Sequence, residues 1–451
     1  MKSNIKLIFM MRFITGVLKM KALVIVIVLL QYSLNAQSLY FPPVTGNNWE
    51  TVSPVTLGWC EDKIDTLLNF LESQDTKAFI VLQDGKIAIE QYYGNFTQDS
   101  FWYWASAGKS LTSYLVGIAQ QEGFLSLDDP TSNFLGNGWT SCPPEKEDLI
   151  TIRHQVSMTS GLDDGVEDNY CTLDTCLLYL ADAGTRWAYH NAPYTLLDGV
   201  LENATGQTMN VLYYNKFKIK TGMNGFYIPS GYNNLLISNA RSMARFGLLT
   251  LNQGIWDNIP VLDDPQYFQE MTNSSQLLNP SYGYLWWLNG KSSFMLPTLQ
   301  FSFNGSVIPS APDDMIAALG KNGQIVNVVP SRNLVFIRMG NAPEDFSEVP
   351  NYFTEAIWQR LNQVFCNSTS DQVVNDLNLV VHPNPFEDYF NILNHSDYPG
   401  TRFELLDING RIVLQGDSTN RVQTDFITSG LYWLRLYSHE NVQMIKLVKT
   451  K

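Results

Sequence analysis

Strand-forming segments near residue 80 and near residue 330 enclose a long stretch of mainly helical pattern. Ala78–Leu82 and Lys86–Tyr92 flank an Asp-Gly dipeptide, which is typical of a two-residue hairpin turn. Ile325–Val329 and Leu334–Met339 form a second candidate hairpin far along the chain. If the two hairpins belong to one sheet, the helical stretch between them is an insertion between strands of that sheet. We therefore expect an α/β fold of the α+β type, with one antiparallel sheet flanked by helices, an inserted helical subdomain and a cleft between the two parts.

The segments outside the strands carry apolar residues at helical spacing. Such spacing places apolar side chains on one face of a helix, which can then pack on the sheet. Residues 162–186 lack the pattern and are polar, so we expect them to form one wall of the cleft. The predicted helices are Glu61–Ser73, the run from Ser106 to Gly123, Ile152–Met158, Ala192–Thr205, Ser238–Asn252 and Glu348–Val364.

The composition changes at Cys366. Residues 367–378 are polar and predict a linker between a domain at 37–366 and a smaller one at 379–451. In the smaller domain, short apolar runs alternate with turn signals, which predicts an all-β sandwich. Its predicted strands include Phe403–Leu406, Arg411–Leu414 and Leu431–Tyr437.

Residues 1–36 have the pattern of a signal peptide. Lys19 and Lys21 precede the apolar run Ala22–Leu30, and Leu34-Asn35-Ala36 ends it with a plausible cleavage site. The apolar run is short for a membrane span. We therefore expect an exported protein, either secreted or attached to the outer cell surface.

Charge and cysteine content narrow the partners and the covalent framework. The net charge of −14 and the pI of about 4.8 argue against nucleic acid or an anionic membrane as the main partner. Among five cysteines, Cys171 and Cys176 are close enough to bridge a small loop, although a pair of buried thiols is the alternative. The sequence does not assign Cys60, Cys142 or Cys366.

Ser106 and Lys109 form the first candidate for chemistry. Residues i and i+3 share one face of a helix, so the Lys109 amine can reach the Ser106 hydroxyl and take its proton. The N–H groups of a helix N-terminus can also hold an oxyanion. Ser3 and Lys6 have the same spacing inside the predicted signal peptide, so this motif alone is not specific.

Two further motifs follow in order, Tyr189-His190-Asn191 and Lys321-Asn322-Gly323. Each alone is more often structural than catalytic, and we interpret His154 and His190 as structural. Five tryptophans that lie in or near the candidate site are more often core residues than parts of a substrate site. The chain has no G-x-S-x-G elbow, zinc spacing or Gly-rich phosphate loop, so we expect no metal and no cofactor. The tryptophans in question are Trp102, Trp104, Trp187, Trp286 and Trp287.

The order S-x-x-K, Y-x-N, K-x-G resembles the serine β-lactamase and penicillin-binding superfamily, and within it the class C branch and its esterase relatives. The resemblance covers roughly residues 60–365. It implies that Ser106 is the nucleophile and Lys109 the general base, and that Tyr189 shares a proton network with both. It also implies that Asn191 contacts the acyl side of the substrate. Whether Lys109 or Tyr189 is the operative base stays open, because the groups titrate as a coupled set.

The same resemblance gives roles to the third motif. Lys321 is implied to hold the network electrostatically, and Gly323 to let the substrate approach the strand. The backbone amides of Ser106 and Gln324 are implied to form the oxyanion hole. Asn322 departs from the pattern, because classical β-lactamases and penicillin-binding proteins carry Thr or Ser there. This departure weakens the case for binding a penicillin or peptide carboxylate.

The C-terminal stretch is similar to type IX secretion sorting domains. The similarity rests on three stretches, which are residues 380–385 (VVHPNP), 406–411 (LDINGR) and 429–432 (SGLY). It implies that residues 379–451 are recognised by the secretion machinery. An immunoglobulin-like spacer or a carbohydrate-binding module is the alternative, because a small β-sandwich alone does not define a function.

These features predict a secreted serine hydrolase that cleaves a small ester or amide through a Ser106 acyl-enzyme, with esterase activity favoured. One alternative is a penicillin-recognising D-Ala-D-Ala peptidase or β-lactamase. A second is a catalytically silent surface module that keeps the fold. The sequence does not define the acyl group, the leaving group or the oligomeric state.

Overall fold

The computed structural model describes residues 39–343, 349–366, 380–393, 402–407, 411–417, 421–438 and 441–450. The predicted signal peptide (1–36) and the predicted linker (367–378) lie outside these ranges. Within them, no helix combines the length and the apolar character that crossing a membrane requires.

The largest sheet has six strands, and its neighbouring strands are all antiparallel. The strand order is β2-β1-β6-β5-β4-β3, so the first strand of the chain pairs with the last strand of this sheet. Both predicted hairpins, and their union in one sheet, are confirmed. The strands are β1 (Thr76–Gln83), β2 (Lys86–Tyr92), β3 (Trp287–Leu288), β4 (Ile316–Gly320), β5 (Gln324–Val329) and β6 (Leu334–Gly340).

Helices surround this sheet and make up much of the inserted part. The longer ones are α1 (Glu61–Ser73), α2 (Gly108–Gln121), α3 (Ala240–Leu251) and α4 (Asn351–Val364). Shorter helices span Ser132–Leu135, Pro144–Glu147, Ile152–Val156, Asn191–Thr195, Leu197–Thr205, Met209–Tyr213, Ile219–Thr221 and Pro265–Met271. Single turns of 3₁₀ or π type lie at Pro54–Leu57, Ala105–Ala107, Asp174–Cys176, Tyr214–Lys218, Lys321–Gly323 and Pro330–Arg332.

Helices α3 and α4 cover opposite faces of the sheet. A Cβ added to Gly247 of α3 would come within 2.4 Å of Val335 Cγ1, so this helix lies directly on β6. Trp358 of α4 packs on the next residue of the same strand, Phe336, with ring centroids 5.7 Å apart. Successive strand residues point to opposite faces. Every residue of β5 and β6 is therefore buried, which explains their almost unbroken apolar sequences.

Several predicted helix bounds were wrong. The helix predicted at Ile152–Met158 ends at Val156, and the one predicted at Glu348–Val364 begins at Asn351, with residue 348 outside the described ranges. The helix predicted at Ser238–Asn252 begins at Ala240, because the strand Asn233–Asn239 continues to the residue that caps the helix. Asn239 Oδ1 accepts the Ser242 N–H at 2.9 Å, and this local bond ends the strand and starts the helix. The helix predicted at Ala192–Thr205 is divided into Asn191–Thr195 and Leu197–Thr205.

A three-stranded sheet includes the strand directly before the Ser106 turn, and the sequence analysis predicted none of its three strands. Its strands are Phe101–Tyr103, Gly225–Ser230 and Asn233–Asn239, with the last in the middle. The Trp104 N–H donates to Leu236 O at 2.9 Å, which continues this pairing to the start of the Ser106 turn. Short two-stranded pairs elsewhere are Ile255–Trp256 with Ile259–Pro260 and Ser293–Phe294 with Phe303–Asn304.

Two disulfides are present. Cys171–Cys176 closes the small loop that the sequence favoured. Cys60–Cys366, which the sequence did not assign, joins the residue before α1 to a residue just beyond α4, across 306 positions. Cys142 is free and half-buried.

The C-terminal part is all-β, as predicted. One three-stranded sheet and one four-stranded sheet contribute to a shared apolar cluster that contains Phe390, Leu405 and Leu434. The strands of the first sheet are Val380–His382, Tyr389–Leu393 and Val422–Gln423. Those of the second are Arg402–Leu406, Ile412–Asp417, Gly430–Ser438 and Asn441–Lys449.

Candidate active site

Ser106 lies in a tight turn rather than inside a regular α-helix. It is the middle residue of the 3₁₀ turn Ala105–Ala107, which leads directly into α2. The turn is fixed from both sides, because Ala107 N–H donates to Trp104 O and the Trp104 indole donates to Ser238 Oγ at 2.7 Å. Ala105 has a φ of 46°, a conformation that non-glycine residues rarely adopt. The turn therefore presents Ser106 at the start of α2.

Lys109 connects Ser106 to the second motif. Its side chain is buried, and Nζ lies 3.0 Å from Ser106 Oγ, as the i, i+3 spacing predicts. The same Nζ donates to Asn191 Oδ1 at 2.8 Å. Aromatic rings complete its surroundings, with the ring centroids of Tyr194 and Tyr189 at 4.2 Å and 5.1 Å from Nζ. A buried amine between a serine hydroxyl and an amide oxygen is well placed to accept and return the serine proton.

Tyr189 belongs to an aromatic cluster beside Lys109. Its ring is 5 % exposed and stacks on Trp287, with centroids 5.9 Å apart and an angle of 24°. Tyr282 meets the same two rings edge-on. The packing fixes the plane of the Tyr189 ring and thereby the direction of its hydroxyl. Trp104, Trp187, Trp286 and Trp287 are all buried, as expected of core residues, whereas Trp102 is only half-buried.

Asn191 is held at both ends of its amide. Oδ1 accepts from Lys109, and Nδ2 donates to Asn169 Oδ1 at 3.1 Å. Asn169 comes from the irregular segment that the sequence predicted as a wall of the cleft. The second motif therefore links the amine of Lys109 to that wall.

The third motif forms the turn between β4 and β5, next to the Ser106 turn. A Cβ added to Gly320 would come within 2.4 Å of Trp104 O and 3.1 Å of Ser106 N. Only a glycine lets the two turns approach this closely. Gln324 is the strand partner of Gly320 and lies directly opposite it at the same end of the hairpin.

Asn322 has a structural reason to replace a hydroxyl residue. Its φ of 63° lies in the left-handed region, which asparagine tolerates better than threonine. Its Nδ2 also donates to Tyr103 Oη at 2.7 Å. The side chain is thus committed to the strand before Ser106.

Arg338 binds the backbone carbonyls of the third-motif turn. The sequence analysis did not identify this residue. The side chain is fully buried, and its Nη1 donates to Asn322 O at 2.7 Å and to Gly323 O at 3.1 Å. Nη1 also donates to Asn341 O, and the remaining donors, Nε and Nη2, reach Thr76 Oγ1 and Gln74 O. Burial lowers the pKa of Arg338 to about 9, which leaves it charged at neutral pH.

Gly323 makes room for this arginine. A Cβ on Gly323 would come within 2.6 Å of Arg338 Nη1, and the residue has a φ of 73°. The glycine is therefore required by the turn itself, in addition to the substrate approach that the sequence suggested. The Gln324 side chain bonds both backbone groups of Gly340, which ties the turn to β6.

An acidic cavity of about 520 Å³ adjoins this network. The lining residue Asn169 connects the cavity to this network through its hydrogen bond with Asn191. Ser106 and Lys109 do not line the cavity. Asp164 pairs with Arg186 at 2.5 Å. The residues around the cavity are Asp163, Asp164, Gly165, Val166, Glu167, Asp168, Asn169, Tyr170, Arg186, Thr298 and Gln300.

The two histidines that the sequence analysis interpreted as structural, His154 and His190, differ in their surroundings. His154 Nδ1 accepts the Thr151 N–H in a capping box, which is a structural role. His190 is 2 % exposed, and neither ring nitrogen has a hydrogen-bond partner among the described residues. Burial lowers the pKa of His190 to about 4, so the ring is neutral near pH 7. In the described ranges, no cluster of His, Cys, Asp and Glu is arranged to hold a metal ion.

The structure brings Ser106, Lys109, Tyr189 and Asn191 together and places the turn that contains Lys321 and Gly323 beside them. Four contributors were not found from the sequence. Asn169 lay in a segment recognised only as irregular, and Arg338 lies in a strand whose other residues are apolar or glycine. Tyr194 lies three residues after the second motif and Tyr103 three residues before Ser106. Their position next to these motifs was the only sequence signal that they could contribute to the site.

Comparison with known proteins identifies the class. Residues 71–356 match the β-lactamase family model, so this chain belongs to the β-lactamase family, whose members are serine hydrolases. Residues 380–450 match the model of a secretion system C-terminal sorting domain. The resemblance to type IX sorting domains is thereby confirmed, and this domain indicates export to the cell surface or the medium.

Individual relatives agree on the fold. An uncharacterized protein from Alkalihalophilus pseudofirmus is 25 % identical over 310 residues, covering 59 % of this chain and 85 % of that protein. A candidate 6-aminohexanoate-dimer hydrolase from Bacillus anthracis superposes with a TM-score of 0.55 at 17 % identity, covering 72 % of this chain and 91 % of the other. A family VIII carboxylesterase gives a TM-score of 0.51 at 13 % identity, covering 69 % and 99 %.

Proposed function

We propose that this protein is a secreted esterase-like hydrolase that cleaves a small ester or amide through an acyl-enzyme on Ser106. The observation that carries the proposal is the buried Lys109 amine, which contacts both Ser106 Oγ and Asn191 Oδ1. This arrangement provides a nucleophile, a base and an orienting group within one hydrogen-bonded chain. The domain responsible is 37–366.

In the acylation step, Ser106 Oγ attacks the substrate carbonyl carbon while its proton passes to the neutral Lys109 amine. The oxyanion that forms is bound by the backbone amides of Ser106 and Gln324. The bond to the leaving group then breaks, and the leaving oxygen or nitrogen takes a proton from Lys109, directly or through Tyr189. The product is an ester of Ser106.

In the deacylation step, a water molecule attacks the acyl carbon and gives its proton to the same base. The acid is released, and Ser106 Oγ recovers its proton. Lys321 stabilises the negative charge that develops near the third motif. Asn191 keeps the Lys109 amine aligned and contacts the acyl side of the substrate.

Two observations favour an ester or a neutral amide over a penicillin. Asn322 offers no hydroxyl for a substrate carboxylate, and its amide is already bonded to Tyr103. The adjoining cavity is acidic and repels an anionic substrate. Among the structural neighbours, one is a candidate amide-bond hydrolase of the 6-aminohexanoate dimer and one is a carboxylesterase, which agrees with either bond type.

A turnover comparison tests this proposal. Purified protein is assayed with p-nitrophenyl acetate, p-nitrophenyl butyrate and the cephalosporin nitrocefin. We expect measurable ester hydrolysis and a lower kcat/KM for nitrocefin. Faster hydrolysis of nitrocefin than of both esters would show that a β-lactamase reading is correct. No turnover and no labelling by a fluorophosphonate would show a silent module.

We also propose that residues 379–451 serve only as an export address. All three motifs lie before Cys366. A chain truncated after Cys366 keeps both disulfides, and we expect it to match the mature protein in kcat/KM. A large loss of kcat in a truncated chain that still melts cooperatively would contradict this assignment.

A further inference from the structure

The acidic cavity carries charge that the protein does not neutralise. Its wall holds four carboxylates, from Asp163, Asp164, Glu167 and Asp168, and the single guanidinium of Arg186. Arg186 pairs with Asp164 alone. Across the described part of the chain, no lysine or arginine forms an ion pair with the other three carboxylates. Three negative charges therefore surround a space large enough for part of a small molecule.

The cavity is close to the nucleophile. Asn169 lines it and accepts a hydrogen bond from Asn191, which in turn accepts from Lys109, which reaches Ser106. Because three hydrogen bonds of about 3 Å and one amide group connect Ser106 Oγ to Asn169 Oδ1, the cavity begins within about 12 Å of the reacting atom. A substrate bound at Ser106 can extend into it.

A second observation concerns His190, the residue that precedes Asn191. His190 is almost completely buried, and both of its ring nitrogens lack a hydrogen-bond partner among the described residues. The charged groups that act on the ring are Asp164, Asp163 and Arg186, all of which line the cavity. His190 does not line the cavity itself, but it directly precedes Asn191, whose side chain bonds the cavity residue Asn169, so the unpartnered ring lies next to the acidic wall.

From the acidic wall, its link to Asn191 and the unpartnered imidazole, we infer that the cavity binds a positively charged group of the substrate. The substrate class is an ester or amide that carries an ammonium or guanidinium group on its acyl or leaving side. This inference rests on the proposed hydrolase function and names the substrate class of that same site. Asp163 is half-buried and Glu167 and Asp168 are exposed, so these carboxylates attract the cation over several ångströms through an interaction that salt screens.

Matched pairs of esters test the inference, because each pair differs only in charge. On the leaving side, butyrylcholine is compared with its neutral isostere 3,3-dimethylbutyl butyrate. On the acyl side, p-nitrophenyl 4-(trimethylammonio)butanoate is compared with p-nitrophenyl 5,5-dimethylhexanoate. We expect the cationic member of at least one pair to have a kcat/KM at least ~10-fold higher at low salt. The ratio should fall as the ionic strength rises, because salt screens partly exposed charges.

A triple variant, Asp163→Asn/Glu167→Gln/Asp168→Asn, removes the unneutralised charge. Asn at 163 and 168 keeps the Oδ1 atoms that accept the Gly165 and Tyr170 N–H groups, so the local turns are preserved. We expect the cation preference of the triple variant to fall towards one. The matched control, Glu61→Gln/Asp65→Asn/Asp257→Asn, removes three exposed charges elsewhere and should keep the preference.

Each outcome is decisive. Equal kcat/KM values within both ester pairs, or a cation preference that survives the triple variant, would overturn the inference while leaving the hydrolase proposal standing. A preference lost equally in the control would assign the effect to net charge and would also overturn it. Failure to hydrolyse any ester, together with no labelling of Ser106 by a fluorophosphonate, would overturn the proposed function and this inference with it.

Discussion

Asn191 Oδ1 accepts a 2.8 Å hydrogen bond from Lys109 Nζ, across 82 positions of the chain. The bond joins the start of α2 to the start of the helix Asn191–Thr195. It also connects the first two motifs, because the same Nζ contacts Ser106 Oγ at 3.0 Å. The position of the proposed base is therefore set by a residue of the inserted part.

Replacing Asn191 with Asp tests this relationship through the pH profile. A carboxylate next to Lys109 favours the protonated amine, and the proposed base must be unprotonated to act. We expect kcat/KM at pH 7 to fall at least ~10-fold and to recover as the pH rises towards 10. Asn191→Ala adds no charge and is the control, with a smaller loss and no shift to higher pH. An Asp variant with the parental pH profile would contradict the proposed role of Lys109.

Arg338 is predicted to be a positioning residue for the third motif. Arg338→Lys cannot reproduce the bonds to Asn322 O and Gly323 O, so the turn that carries the proposed oxyanion amide should loosen. We expect kcat for a p-nitrophenyl ester to fall ~10–100-fold with little change in KM, since an oxyanion contact acts mainly in the transition state. Guanidinium ion at millimolar concentration should restore part of kcat in Arg338→Ala. Arg332→Ala, in the neighbouring turn, is the control and should keep parental kinetics.

The sheet and the central pair of the site could be predicted from sequence, because each rests on local patterns. The Asp-Gly hairpin fixed β1 and β2 to each other, and apolar runs marked β5 and β6. The i, i+3 spacing placed Lys109 beside Ser106 without knowledge of the rest of the fold. Motif order then supplied Tyr189 and Asn191.

The remaining parts depend on contacts between distant segments. The bond between Asn191 and Asn169 follows from how the irregular segment folds back on the inserted part, which no local pattern encodes. Arg338 reads in sequence as one charged residue in an apolar strand, and its partners are mostly backbone carbonyls of other segments. The Cys60–Cys366 bridge likewise depends on α1 and α4 lying side by side.

His190 makes a prediction about stability against pH. Its pKa is about 4 in the folded protein against 6.5 for an ordinary histidine, because burial disfavours the charged ring despite Asp164 and Asp163 nearby. The stability that depends on the neutral ring is complete above pH 6.5 and is lost as the pH falls towards 4, because the unfolded state takes up the proton first. The slope from this residue approaches ~1.4 kcal/mol per pH unit.

Urea unfolding between pH 7 and pH 4 measures this slope. We expect His190→Gln to have a flatter dependence than the parent, whatever its absolute stability. His382→Gln, at an exposed position of the C-terminal part, serves as the control. An unchanged slope in His190→Gln would mean that this ring is not kept neutral by the fold.

Lys109 and Tyr189 are predicted to act as one unit with Ser106. General-base assistance typically contributes ~10²–10⁴-fold, so Lys109→Ala and Tyr189→Phe should each lose at least the lower amount in kcat/KM. Because members of such a unit are not additive, the double variant should be little worse than the poorer single one. Losses that simply multiply in the double variant would show that the two residues act independently.

The identity of the nucleophile is the central claim, and covalent labelling tests it most directly. The mature protein and its Ser106→Ala variant are incubated with a fluorophosphonate, and intact mass and peptide mass are measured. We predict one adduct on Ser106 in the parent, and no adduct and no ester turnover in the variant, with melting temperatures that stay close. A Ser106→Ala protein that still forms the adduct or keeps full turnover would place the nucleophile elsewhere and contradict the account.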